Sequence, residues 1–195
     1  MANERQRQIQ DTAIDLFRKK GFDATSVQDI CDACGITKPT FYKYVRSKEE
    51  LLRHFYDQAT EELLLQLQKP MEEHDYWGMI WAGFTNTSNY SLNLGWELLS
   101  KYLILNFHEH TVTSRYTSVG RKLSTQAIAM AQQTGQIRNH ADPDVLFMTL
   151  KNIGLAYMLH WCMTKEGFDY FSAFYASLET ILQPDYDVIR KQREG

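Results

Sequence analysis

An all-α protein of two helical domains is the fold this sequence predicts, on three observations. Apolar residues recur at helical spacing along nearly the whole chain of 195 residues. No stretch shows strand alternation, internal repeats or low complexity. Glycines, prolines and capping residues fall at the ends of the periodic segments. Hydrophobic residues at 44% and charged residues at 23% are ordinary globular usage. This length supports a small domain joined to a larger one, with a core that needs neither disulfides nor metal. Cys31, Cys34 and Cys162 are an odd set, which argues against a disulfide framework. The polar N-terminus and the lack of any run of about 18 apolar residues predict a cytoplasmic protein with no membrane partner.

Each element has its own justification. Ile9, Ala13, Leu16 and Phe17 form one stripe of a helix from about Asn3 to Lys20, and Gly21 after Lys19-Lys20 stops it. Thr25 and Gln28 are spaced as a capping box for a second, short helix with the stripe Val27, Ile30, Cys31, Cys34, ended by Gly35. Thr37 caps a third, with Pro39 in its first turn and Phe41 and Val45 pointing inward. Ser47-Lys48-Glu49-Glu50 opens a longer helix with the stripe Leu52, Phe55, Ala59, Leu63, stopped by Pro70. Further helices are predicted over 74–92, 95–108, 113–134, 143–164 and 168–183, the last burying Phe171, Phe174, Tyr175, Leu178 and Ile181. Asp142-Pro143-Asp144 marks one clear start. The expected division is 1–47, a connecting helix over 48–69, and a second domain over 70–195.

Two short helices around a glycine corner, the second polar and basic outside, have the geometry of a helix-turn-helix. Charge agrees. Residues 1–55 carry ten Lys/Arg against eight Asp/Glu, although the whole chain is −3. From Ala33 to Lys48 stand Lys38, Lys43, Arg46 and Lys48 with no acidic residue. A solvated helix face would look the same by charge alone.

The string Gly21-Phe22, Thr25-Ser26-Val27, Ile30 and then Cys34 through Leu52 narrows the reading. Its glycine corner, Pro39-Thr40-Phe41-Tyr42 core and Ser47-Lys48-Glu49-Glu50-Leu51 cap resemble, at the same spacing, the N-terminal signature of the TetR family of bacterial regulators. The resemblance covers about residues 5–55; beyond them only the layout agrees, with the Gly135-Gln136-Ile137-Arg138 turn before two long final helices. It implies a helix-turn-helix DNA-binding domain, a C-terminal ligand-binding and dimerisation domain, and a repressor released from double-stranded operator DNA by a small molecule. Carried over by position, Thr37, Lys38, Pro39 and Thr40 would face bases or nearby phosphates. Tyr42, Lys43, Tyr44 and Lys48 would hold the DNA backbone, with Thr25 or Ser26 adding a phosphate contact. Cys31 and Cys34 stand where the family usually has small residues such as alanine.

Other features allow plainer readings. Cys31 and Cys34 lie on a buried stripe without a second ligand pair, so packed core residues are expected, with redox gating as the alternative. His108-Glu109-His110 is read as solvent-exposed, and no metal or cofactor is expected. The aromatic-rich second domain suggests a pocket for a small apolar or aromatic ligand, with Trp81, Trp96, Tyr102, Tyr157 and Trp161 as candidates. Gly154, in an otherwise strong helix, predicts a close helix–helix approach with Ala156 nearby. The resemblance implies a homodimer seam at 143–164 and 168–183. Control by a protein partner, or activation, stays open. An enzyme is disfavoured, because the chain has no phosphate loop after a strand and no nucleophile elbow.

Overall fold

The apolar stripe of the first segment winds into α1 (Ala2–Lys20), with Ile9, Ala13 and Phe17 fully enclosed. The computed structural model describes residues 2–54, 57–109 and 115–193. Two short helices follow, α2 (Val27–Cys34) and α3 (Lys38–Tyr44), and pack against α1. Phe41 and Val45 are buried, as the sequence pattern predicts, as are Ile30, Cys31, Leu51 and Leu52. Burying a side chain such as Phe41 contributes roughly 2–3 kcal/mol, so a few residues hold this domain together.

The start of α2 differs from expectation. Its cap is Ser26, not Thr25: Ser26 Oγ accepts from the Asp29 amide at 3.1 Å, and Asp29 Oδ2 accepts from the Ser26 amide at 2.8 Å. Thr25 is buried, and its hydroxyl donates to the Gly21 carbonyl at 2.8 Å. A threonine flanked by a serine offers two registers for one box, and the burial of Thr25 beneath the turn selects the second.

The connecting segment is described as α4 (Lys48–His54) and α5 (Asp57–Glu72); the predicted continuity through Phe55 lies outside the described residues. Pro70 does not stop α5 but sits inside its last turn. There it removes one hydrogen bond, and the helix closes through Glu73 N–H to Lys69 O at 3.0 Å.

The second domain is built from α6 (Tyr76–Asn93), α7 (Trp96–Glu109), α8 (Arg115–Gln133), α9 (Pro143–Met163) and α10 (Tyr170–Leu182), followed by α11 (Tyr186–Arg193). Helix α6 lies at its centre, packed on α5, α7, α8 and α9. On α10 the fully buried positions are Tyr170, Phe174, Leu178 and Leu182, while Phe171, Tyr175 and Ile181 are only half-buried. Phe174 and Leu178 are thus buried as predicted, while Tyr170 and Leu182, at spacings of four on the same face, complete the stripe in place of Phe171, Tyr175 and Ile181. Gly154 behaves as the sequence suggests: a Cβ there would stand 3.1 Å from the Tyr170 hydroxyl and 3.3 Å from the Phe174 ring. Ala156 faces outward instead.

Helix α11 was not predicted. Only Val188 and Ile189 give it an apolar face, although Asp185 caps its amides at 3.2 Å and its last turn is basic. It is held by a buried amide. Gln136 Oε1 accepts from Trp77 N–H at 2.9 Å, and its Nε2 donates to His74 O at 2.7 Å and to the Gln192 side chain. Arg193 adds a 2.5 Å ion pair to Asp75, the N-cap of α6.

Candidate nucleic-acid interface

The outer face of the α2–α3 pair is the candidate site. Gly35 turns the corner at φ 61°, a left-handed conformation in which other residues are strained, and its amide reaches back to Asp32 O and Cys31 O. Thr37 then caps α3, its hydroxyl accepting from Thr40 N–H at 3.4 Å and lying 3.0 Å from the Thr40 hydroxyl. With Phe41 and Val45 turned inward, the opposite face carries Thr37, Lys38, Pro39, Tyr42, Lys43 and Arg46, all exposed. Tyr42 is 53% exposed, a large aromatic left in water at the middle of the helix. Thr40 and Tyr44 are half-buried, and Tyr44 also packs on the core. Among the described residues no hydrogen bond or ion pair holds the side chains of Lys38, Lys43 or Arg46, so three cations remain available to an anion.

Two proposed contacts have other duties. Thr25 is enclosed with its hydroxyl donated inward, so of the Thr25–Ser26 pair only Ser26 presents a side chain at the surface. Ser26 is itself engaged: its hydroxyl donates to Asp29 Oδ2 at 2.5 Å. Lys48 is half-buried; its ammonium donates to Phe22 O at 2.7 Å and Thr25 O at 2.9 Å and lies 4.2 Å from the centre of the Phe22 ring. It fastens α4 to the α1–α2 turn. The clamp uses two of the ammonium's three donors. Arg46 belongs on the exposed face and is absent from the sequence-derived contacts; its place in the acid-free basic segment was the available signal.

The electrostatics suit this division. The Asp29 carboxyl is lowered to about 2 by hydrogen bonds from the Ser26 hydroxyl and amide and by Lys20 at 3.2 Å. Burial pushes the Cys31 thiol up, the opposite of what a reactive thiol requires. Cys31, Cys34 and Cys162 are free and buried.

Residues 9–55 match the model of the bacterial regulatory proteins of the tetR family. This first domain is of the tetR type of bacterial regulatory proteins. Over 50 residues it is 52% identical to the HTH-type transcriptional regulator YerO of Bacillus subtilis, covering 26% of this chain and 17% of that protein. The first three curated relatives are matched over only 17%, 22% and 38% of their own length. A longer match, 21% identical over 94% of this chain and 89% of the relative, is to an Escherichia coli K12 protein described as "Probable acrEF/envCD operon repressor". The whole fold is similar to that of a TetR-family protein from Mesorhizobium loti, with TM-score 0.66, 18% identity, and 94% and 97% of the two chains covered. It is also similar to FadR of Thermus thermophilus, a TetR-family repressor solved with lauroyl-CoA, with TM-score 0.58, 19% identity, and 91% and 93% covered.

The five candidate ligand residues of the second domain have separate surroundings. Trp81 packs edge-on to Tyr175 of α10 at 5.1 Å. Trp96 lies under Lys165 at 5.3 Å. Tyr157 reaches Ser177 Oγ at 3.0 Å and packs on Phe168 at 5.5 Å. Trp161 is buried, and Tyr102 is half-buried against the core. What sequence reasoning missed is a polar interior: Thr85, Asn86, Ser88 and Ser91 of α6 are all buried, and Ser88 meets the Tyr170 hydroxyl at 2.6 Å. Burial pushes the Tyr170 phenol up to about 12. The run Thr85-Asn86-Thr87-Ser88-Asn89 was the legible signal. His108-Glu109-His110 falls outside the residues whose side chains are described. Among the described residues no helix is long and apolar enough to cross a membrane.

Proposed function

We propose that this protein is a cytoplasmic, homodimeric transcriptional regulator that binds operator DNA through α3 and is released when a small molecule binds its second domain. The exposed face bearing Lys38, Tyr42, Lys43 and Arg46, on a domain of the TetR family, carries this reading. A helix of this kind enters the major groove, where lysine can donate to guanine and hydroxyls to phosphate. Two copies place their α3 helices about 34 Å apart, so the operator is a near-palindrome with half-sites about one turn apart. The dimer seam is α9 with α10; Val145 (59% exposed), Leu155 (43%) and Met163 (81%) give α9 an uncovered apolar face.

The FadR relative in fold holds lauroyl-CoA. In this chain the buried hydroxyls and amide of α6 lie beside aromatic residues, and Asp75 is the one charged side chain buried among the described residues. Such an interior suits an uncharged, largely apolar or aromatic molecule. The ligand can shift the protein only by its differential affinity for the two states.

The decisive experiment is a fluorescence-anisotropy titration with DNA from just upstream of the protein's own gene, at two salt concentrations. Tight, salt-sensitive binding to one near-palindromic segment is expected. Equal, weak binding to all DNA would count against sequence-specific regulation from that site.

A further inference from the structure

We propose that α6, α10 and α11 form a second ligand site, at the end of the domain where α6 begins, for an organic cation: a quaternary or protonated amine with apolar substituents. It lies apart from the buried hydroxyls of α6, since Trp77 and Ser88 are separated by about 16 Å along that helix. Four rings meet there, those of Trp77 and Trp81 on α6, Tyr175 on α10 and Tyr186 on α11. Trp77 stands nearly perpendicular to Tyr175 at 6.4 Å and to Tyr186 at 6.2 Å, as does Trp81 to Tyr175 at 5.1 Å. Rings set this way wall a corner instead of stacking. Trp77 is buried at its back, Trp81 and Tyr175 are half-buried, and Tyr186 is 42% exposed at its mouth.

The charge at this corner is unmatched. Glu179, one turn after Tyr175 on α10, is half-buried, and its Oε1 accepts from the Tyr186 hydroxyl at 2.5 Å. The Tyr175 hydroxyl lies 2.8 Å from that of Tyr186. Among the described residues no cation pairs with Glu179, and its second oxygen takes no hydrogen bond. Carboxylates nearby do have cations: Asp75 holds Arg193, Asp185 holds Arg138 and Asp187 holds Arg190. Ring faces are negative, so the aromatic walls and the unmatched carboxylate select the same ligand charge. The corner lies on the side of α10 turned from α9: Ser177 meets Tyr157 of α9, whereas Tyr175 and Glu179 meet α6 and α11. The opposing reading is a packing cluster that anchors α11, with Glu179 paired only to water.

Proton–nitrogen NMR spectra of the full chain separate the two, in titrations with choline and with its uncharged isostere 3,3-dimethylbutan-1-ol at matched ionic strength. The indole N–H signals report by place, because the four tryptophans are Trp77, Trp81, Trp96 and Trp161. Choline should shift Trp77 and Trp81 saturably, and the alcohol should bind far more weakly. Glu179→Gln keeps an acceptor for Tyr186 but loses the charge, and should weaken choline binding about two- to fivefold. Trp81→Leu should weaken it about three- to tenfold. The site is overturned if choline moves no indole signal saturably, if the alcohol binds as tightly, or if folded Glu179→Gln binds choline unchanged. Shifts confined to Trp96 or Trp161 would put the cation elsewhere and overturn it as well. Because binding is read without DNA, failure to bind an operator would sink the regulator reading and leave this result standing.

Discussion

At the scale of single residues, the lysines divide by what their ammonium groups already hold. Lys38 and Lys43 are exposed and have no hydrogen-bond or ion-pair partner among the described residues, whereas Lys48 spends two donors on Phe22 O and Thr25 O. Lys38→Ala and Lys43→Ala should leave stability unchanged and each reduce the salt slope of DNA binding by about one, with Lys38→Ala also relaxing sequence preference. Lys48→Met should instead lose about 1–2 kcal/mol of stability in urea titrations. Equal stability of Lys48→Met and wild type would show that the clamp carries no weight. Asp29 gives a pH dependence. Its carboxyl is lowered to about 2 from 3.8, so the stability it adds is complete above pH 3.8 and is lost as pH falls toward 2. Acid titration followed by circular dichroism should show Asp29→Asn flattened in that window.

Among the elements, the helix-turn-helix depends on its corner. Gly35→Ala meets nothing within 4 Å, so its cost is conformational, about 1–2 kcal/mol for a left-handed non-glycine residue. Thermal denaturation should register that loss, and a neutral Gly35→Ala would mean the corner relaxes into another turn. Helix α11 depends on a buried amide rather than on apolar area. Gln136 is fully buried with partners on the α5–α6 connection and on α11, so Gln136→Leu leaves Trp77 N–H and His74 O without their partner. A destabilisation of about 2–3 kcal/mol is expected, with faster hydrogen exchange in residues 186–193. Unchanged exchange there would show that Ile189 and the Arg193–Asp75 pair anchor the helix without the amide.

For the whole molecule, the proposed dimer and the joint between its two domains each carry a prediction. The uncovered apolar face of α9 predicts a dimer by light scattering at micromolar concentration, and Leu155→Glu, at 43% exposure, should shift it toward monomer. A wild-type monomer under those conditions would remove the basis for paired half-sites. The proposed ligand control carries a reciprocal signature: a ligand that weakens DNA binding must itself bind more weakly, by the same factor, to the DNA-bound protein.

The sequence by itself determined the helical class, the starts and stops of α1, α3, α6, α7, α9 and α10 to within a few residues, and the exposed face of α3. These follow from periodicity, caps and glycine stops, which act over one or two turns. The tertiary structure decided what local pattern leaves degenerate. Thr25 and Ser26 are equivalent as caps in sequence, and the burial of Thr25 under the turn makes Ser26 the cap. A basic residue at position 48 is legible, but whether its ammonium faces outward depends on carbonyls 23 and 26 residues away. Helix α11 has almost no apolar signal because Gln136, 56 residues from Gln192, holds it. Such partners lie far apart along the chain, so no short-range pattern encodes them. Only packing brings them within bonding distance.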